Sequence, residues 1–393
     1  MLEEAIKRKE QIIADYEYLH ANAESGFGLT ATRAYVKKRL SEMGYSPKDC
    51  GRAGIVAEAG LQENGKTILL RADMDALPMK EEAEVPYACN NGNMHACGHD
   101  AHTAMLLGAA GLLKYHETEL KGRVKLMFQP AEELLEGAKD MLASGVLENP
   151  KVDAAFMIHV LTGVPYRCGS VVVSAPGVSA PAADFFAIEI KGEGCHGSMP
   201  EKGVDPLTVA AHMMIALQEI HARELGIQED AVLTIGAVEG ANVGNVIPDK
   251  VILKGSMRCY RESTRNKLKK RLAEIAEGIA TTFRAQAVVT YSSGCPELEN
   301  DKDMSTGCTR WLQKLLGEEM VYDSRVLGTG GGSEDFAYVA KEVPSLMVAL
   351  AAGDCREGYE YPLHHPKMRL DEKAFAFGAA VYATVAMEYT GLP

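Results

Sequence analysis

No run of about 18 apolar residues occurs in this chain of 393 residues, so no membrane-spanning helix is expected. Basic character is also scarce. Lysine and arginine total 41 against 54 aspartates and glutamates, a formal net charge of −13. That balance argues against a nucleic-acid partner, which needs basic stripes. The nine cysteines contain no CxxC pair. Odd in number and widely spread, they read as free, mostly buried residues of a reducing compartment. The N-terminal stretch carries Glu3, Glu4, Lys7, Arg8, Lys9 and Glu10 and has no apolar signal-peptide core. Ile12, Ile13, Tyr16 and Leu19 have helical spacing, so an amphipathic helix and a cytoplasmic location are expected. Internal repeats, low-complexity tracts and polar linkers are absent as well.

What is present is an ordinary globular composition, 47% apolar and 24% charged, in a chain too long for one core. Strand-like Thr67–Leu70, Val124–Phe128 and Ala154–Ile158 alternate with helix-like Ala101–Leu113 and Ala138–Ser144. This alternation predicts an α/β domain with a mostly parallel sheet and a site at the strands' carboxyl ends. A different texture follows: strand Phe185–Ile190, helix Pro206–Ile220, strands Val232–Val238 and Val251–Met257, helix Thr264–Arg284, strand Ala287–Tyr291. The order β-α-β-β-α-β is ferredoxin-like. It reads as an inserted α+β domain whose outer strand is a natural edge for pairing in a dimer. Beyond it the first texture returns, with helix Asp303–Leu316, strand Ser345–Leu350 and a closing helix Asp371–Tyr389. The expected division is residues 1–180 and 293–393 as a catalytic domain, with 181–292 inserted.

The chemistry concentrates at the ends of the predicted strands. Met94-His95-Ala96-Cys97-Gly98-His99-Asp100-Ala101-His102 packs three histidines and a cysteine ahead of an apolar helix. Imidazole and thiolate are good ligands for zinc and related ions, and so dense a run is rarely mere packing. His102 reads either as a helix-face residue or as a partner behind the ligands. Phe128-Gln129-Pro130-Ala131-Glu132-Glu133 places adjacent carboxylates at a strand end, where one can bind metal while the other takes a proton from water. His159 follows an apolar strand, and His364-His365 precede the last helix. Cys, His, Glu, His and His exceed the needs of one tetrahedral site, which favours a metal pair. In Arg71-Ala72-Asp73-Met74-Asp75 an aspartate either binds metal or accepts the second N–H of a ligand histidine; Asp75 is assigned the latter role.

RADMDALP at 71–78, MHACGHDAHTAMLLGAA at 94–110, FQPAEE at 128–133 and NVIPD at 245–249 resemble the amidohydrolase branch of the aminoacylase/carboxypeptidase zinc metallopeptidase superfamily. Hippurate hydrolases, auxin-conjugate hydrolases and N-acetyl-diaminopimelate deacetylases belong to that branch. The resemblance runs from Leu19-His20 and Glu24 through the closing helix. It implies a dinuclear metallopeptidase domain interrupted by a ferredoxin-like dimerisation, or lid, domain. It implies Cys97, His99, Glu133, His159 and His364 as metal ligands, the last chosen over His365 by a histidine-any-proline pattern. Glu132 is then the general base and His196 an oxyanion donor acting across a dimer interface. Asn245, Arg258, Gly332 and Ser333 are implied to bind substrate. Gly330 and Gly331 mimic a phosphate cradle, but no lysine accompanies them. Leu161 stands where relatives often carry a polar or large aromatic residue, and Cys195 where glycine is usual.

The implied function is hydrolysis of N-acyl amino acids to a carboxylic acid and a free amino acid. Two divalent ions per subunit (zinc, manganese, cobalt or nickel) and a homodimer or tetramer are expected. The alternatives are a dipeptidase or carboxypeptidase on the same scaffold, and a non-catalytic metal- or ligand-binding protein. Retention of Glu132 beside a full ligand set argues against the last.

Overall fold

The computed structural model describes residues 1–62, 65–240, 242–324 and 332–392. The chain divides into two compact units. One comprises Met1–Ser179, Glu299–Gly330 and Asp335–Pro393, the other Ala180–Leu298 and Gly331–Glu334. In chain order the strands are β1 (Lys48–Cys50), β2 (Gly54–Ala59), β3 (Thr67–Asp73), β4 (Arg123–Gln129), β5 (Ala154–Leu161), β6 (Val171–Val173) and β7 (Gly177–Ala180). Then come β8 (Ala182–Lys191), β9 (Cys195–His196), β10 (Ala231–Glu239), β11 (Val246–Ile247), β12 (Lys250–Cys259) and β13 (Gln286–Cys295). The last three are β14 (Leu298–Asn300), β15 (Val321–Asp323) and β16 (Ser345–Ala351).

The first unit is built on a sheet of order β1-β2-β4-β3-β5-β16-β6-β15. Its centre is parallel: β3 pairs with β4 and β5, and β5 with β16. The antiparallel pairs β1–β2, β2–β4 and β6–β16 lie on either side. Every residue of β3 is buried, as a parallel strand covered on both faces requires. The helix His99–Tyr115 is apolar on almost every side and correspondingly buried. With the closing helix Lys373–Thr390 it packs into a core that includes Met105, Leu106, Phe375 and Tyr382. No described helix is long and apolar enough to cross a membrane.

The second unit is a four-stranded antiparallel sheet of order β10-β12-β8-β13. Its connecting helices are Pro206–Glu219 and Glu262–Thr282, the ferredoxin-like order. Ile188, Ile190, Leu253, Met213 and Leu268 form its own core. Asp205 caps the first of these helices by accepting from Leu207 N, with Pro206 at the first helical position.

Candidate dinuclear metal centre

Strands β3, β4 and β5 run in parallel, so the segments that leave their carboxyl ends converge on one place. β3 ends at Asp73, with Asp75 just beyond. Glu132 and Glu133 follow β4, and His159 sits near the end of β5. Cys97 and His99 come from the turn that opens the long helix, and His99 is its first residue. Between them Gly98 has φ +83°, the left-handed region that glycine adopts without strain. A Cβ there would stand 2.4 Å from the Val160 side chain. Gly98→Ala is therefore expected to displace this turn and lower bound metal at least tenfold, read by elemental analysis of the purified protein.

The backbone is also constrained at two other approaches. Ala131, just before Glu132, has φ +53°, and His364 has φ +65°. Both are unusual for residues with a Cβ and must be imposed by the surroundings. At His364 the main-chain N–H donates to the Ala96 carbonyl at 2.7 Å, next to Cys97. At the glutamates the Asp75 carboxylate accepts from Glu132 N (2.9 Å) and Glu133 N (3.2 Å).

These constraints gather donor atoms. Cys97 Sγ lies 3.6 Å from His159 Nε2 and 3.2 Å from His364 Nε2. His364 Nε2 is 3.5 Å from Glu133 Oε1. Cys97, His99 and His159 form one triple with ligand atoms within 4.8 Å of one another, and Cys97, Glu133 and His364 form another. The two triples share the Cys97 sulfur. His99 Nε2 and Glu133 Oε1 are buried with no hydrogen-bond partner, a cost that coordination to a cation removes. The electrostatics agree. Burial alone would raise the Cys97 thiol, but the adjacent His99 and His159 outweigh it and hold it well below its usual value. Burial and the Cys97 sulfur push the Glu133 carboxyl up to about 7. A soft thiolate beside imidazoles and a carboxylate fits a borderline divalent ion.

The remaining residues of the cluster are accounted for by contacts. His99 Nδ1 donates to the Asp75 carbonyl at 2.8 Å, so the bond expected from the Asp75 side chain is made by its main chain. His102 Nδ1 donates to Asp73 at 2.6 Å while its Nε2 accepts from Val160 N at 2.9 Å. Both nitrogens are used, and burial pushes this imidazole down to about 4, so His102 supports the turn from behind. His365 turns away and stacks on Tyr361, 4.4 Å between ring centroids. Asp73, not assigned a role from sequence, touches both histidines of the helix: its carboxylate is 3.7 Å from His99 Nε2. Its place as the last residue of an apolar strand is the signal that points to it. Buried Glu132 brings Oε2 to 3.9 Å from His99 Nε2.

The second unit carries another group of the expected residues. His196 pairs with Val246 across β9–β11, and Gly197 N donates to Asn245 O at 2.8 Å, so the His196 and Asn245 segments are adjacent. His196 Nδ1 accepts from Ser198 N at 3.1 Å, which leaves the proton on Nε2 in the neutral ring. Arg258 on β12 donates to Ser333 Oγ at 2.7 Å, and Gly332 adjoins it. Gly330 and Gly331 lie outside the described residues.

A mostly parallel sheet that delivers a thiolate, imidazoles and paired glutamates to its carboxyl ends defines a metal-dependent hydrolase. The chain belongs to Peptidase family M20/M25/M40, which it matches over residues 69–388. It is 35% identical over 368 residues to N-acetyl-L-cysteine deacetylase of Bacillus subtilis, covering 93% of this chain and 85% of that protein. It is 33% identical over 374 residues to hippurate hydrolase of Campylobacter jejuni, covering 94% of each. Among solved structures, the dinuclear metal-binding M20-family peptidase YXEP of Bacillus subtilis aligns with TM-score 0.78 and 30% identity, over 96% of this chain and 97% of that one. A protein of methicillin-resistant Staphylococcus aureus aligns with TM-score 0.90 and 32% identity, over 99% and 98%.

Proposed function

We propose that the protein hydrolyses the amide bond of small N-acyl amino acids, releasing a carboxylic acid and a free amino acid. The observation that carries this reading is Glu132. It stands buried beside the donor cluster, held by the same Asp75 carboxylate that holds Glu133. N-acetylcysteine and hippurate, named for two relatives, are both amino acids acylated on nitrogen. Cys97, His99, Glu133, His159 and His364 are the residues that would hold two divalent ions. Such ions would polarise a carbonyl and lower the pKa of a bound water toward neutrality.

The protein's own groups then have distinct tasks. Glu132 accepts a proton from the attacking water and returns it to the leaving amine nitrogen. His196, with its proton on Nε2, donates to the carbonyl oxygen as negative charge develops there. Arg258, steadied by Ser333, pairs with the substrate carboxylate, and Asn245 and Gly332 add polar contacts. In this reading His196 is supplied by a second copy of the chain. The edge strand β10, with exposed Val232 and Val238, offers a surface for that pairing.

The test is a panel of N-acetyl, N-benzoyl, indoleacetyl and long-chain acyl amino acids beside a dipeptide. The chelated protein is assayed after addition of zinc, manganese or cobalt. Metal-dependent release of amino acid from the acyl substrates is expected, with the dipeptide at least tenfold slower. Faster turnover of the dipeptide makes the protein a dipeptidase; metal uptake with no turnover of any member makes it a binding protein.

A further inference from the structure

Cys97 and His99 lie at the end of an irregular segment that starts where β3 stops. One side chain outside the donor set reaches both flanks of that segment. His20, near the end of the helix Lys9–Ala21, is only 4% exposed. Its Nδ1 is 2.7 Å from Asp100 Oδ2, in the helix turn directly after His99. Its Nε2 is 2.9 Å from Glu81 Oε1, on the approach to the 95–99 turn. Each acid is tied further: Asp100 Oδ1 accepts from Ala101 N and Glu81 Oε2 accepts from Cys89 N. Next to Glu81, Glu82 N donates to the Pro366 carbonyl at 2.8 Å, just past His364.

An imidazole facing a carboxylate from each nitrogen has to donate from both, and therefore carries charge. Burial would lower this imidazole, but Asp100 and Glu81 outweigh it and hold it up to about 10. We propose that His20 is a positioning residue of the metal centre. By joining Glu81 to Asp100 it closes residues 81–100 around Cys97 and His99, and through Glu82 it fixes the segment that carries His364. The inference rests on the reading of Cys97, His99, Glu133, His159 and His364 as metal ligands. Residues 81–95 form no helix or regular strand, so their position depends on such side-chain ties.

A buried ion triad can also stabilise a fold without serving a site, and the experiment separates the two roles. His20 and Glu81 line a cavity of about 540 Å³ together with Tyr16 and Tyr87. Water entering it hydrates the carboxylates when His20 is replaced, so His20→Gln is expected to fold. Dissociation constants for zinc and for manganese are measured by chelator competition on the full chain. The proteins compared are wild type, His20→Gln, Glu81→Gln, the double variant and Lys125→Met. Lys125 is buried on β4 and donates to the carbonyls of Val146, Glu148 and Pro150, so its loss destabilises the same unit through a different loop.

His20→Gln and Glu81→Gln should each weaken metal binding about tenfold or more, because the segment that carries Cys97 and His99 is then no longer tied at both flanks. The double variant should be no weaker than the worse single one, because either change opens the same closure. Lys125→Met should lower the melting temperature and leave metal affinity within twofold. If the His20 and Glu81 variants bind metal as wild type does, the positioning role is overturned while the metal centre stands. If wild-type protein takes up no metal, the metal-centre reading falls and this inference falls with it.

Discussion

Glu132→Gln is expected to lower kcat by about two to four orders of magnitude, the usual contribution of a general base. Bound metal should remain unchanged. The substitution keeps the shape of the side chain and removes its charge and its ability to take a proton. The main-chain bond from Glu132 N to Asp75 is untouched, so Glu133 keeps its place in the donor cluster. A variant that binds metal fully and turns over an N-acyl amino acid at the wild-type rate removes Glu132 from the mechanism. The complementary change, Glu133→Gln, should instead lose metal, because Glu133 belongs to the triple with Cys97 and His364. Adjacent glutamates thus give opposite phenotypes, one in rate and the other in metal content.

The second large effect lies beneath the centre. Arg71 is fully buried at the core of the first unit. Its guanidinium donates to Asp73 at 2.6 Å, to Gln129 at 2.9 Å and to Asp335 at 3.1 Å. Asp335 also accepts from Gln129 Nε2 and from Ala138 N. Arg71→Met fills much of the same volume but leaves two buried carboxylates without their cation. The expected loss is about 3–5 kcal/mol of stability, the cost of breaking a buried pair from one side. Adding Asp335→Asn should recover part of that loss, since it removes one of the stranded charges. Both are read from the shift in the unfolding midpoint in denaturant. Because Asp73 in turn holds His102, the variant should also disorder the turn behind His99. Independent, additive losses would show that Arg71 and Asp335 do not act as a pair.

Much of the candidate site was legible because its donors are local in sequence. Cys97, His99 and His102 fall within a few residues, and Glu132 and Glu133 adjoin, so their density stands out against an ordinary background. The central strands were legible for a similar reason: β3, β4 and β5 carry short apolar stretches, Ile68–Leu70, Leu126–Phe128 and Ala154–Ile158, as buried parallel strands do. Three-residue strands such as β1, β6 and β15 carry too few residues for any periodicity to register. The helix Thr30–Glu42 does carry a sequence signal, since Thr32, Val36 and Leu40 line its buried side at helical spacing. His159 was placed after a strand and lies within one, because pairing with β16 extends β5 to Leu161.

The contacts that support the site were not legible. Arg71 meets Asp335 across most of the chain, and no local pattern announces such a partner. The Gly332–Phe336 motif reads as one loop in sequence, yet Ser333 serves Arg258 while Asp335 serves Arg71. His20 and Glu81 are each unremarkable alone, and only the fold brings them together. For Asp75 the sequence identified the residue but not the atom. Its carbonyl orients His99 while its carboxylate holds the two glutamates.

Cys97 belongs to both donor triples and would be shared by two metal positions. The direct test is metal content per chain after reconstitution and removal of loose ions, for wild type and Cys97→Ala, in parallel with zinc and manganese. About two ions per wild-type chain are expected, as in two-metal hydrolase sites, with clear loss in Cys97→Ala because the sulfur belongs to both triples. A wild-type chain that retains no metal, or a Cys97→Ala chain that retains both ions, would rule out a Cys97 shared by two metals.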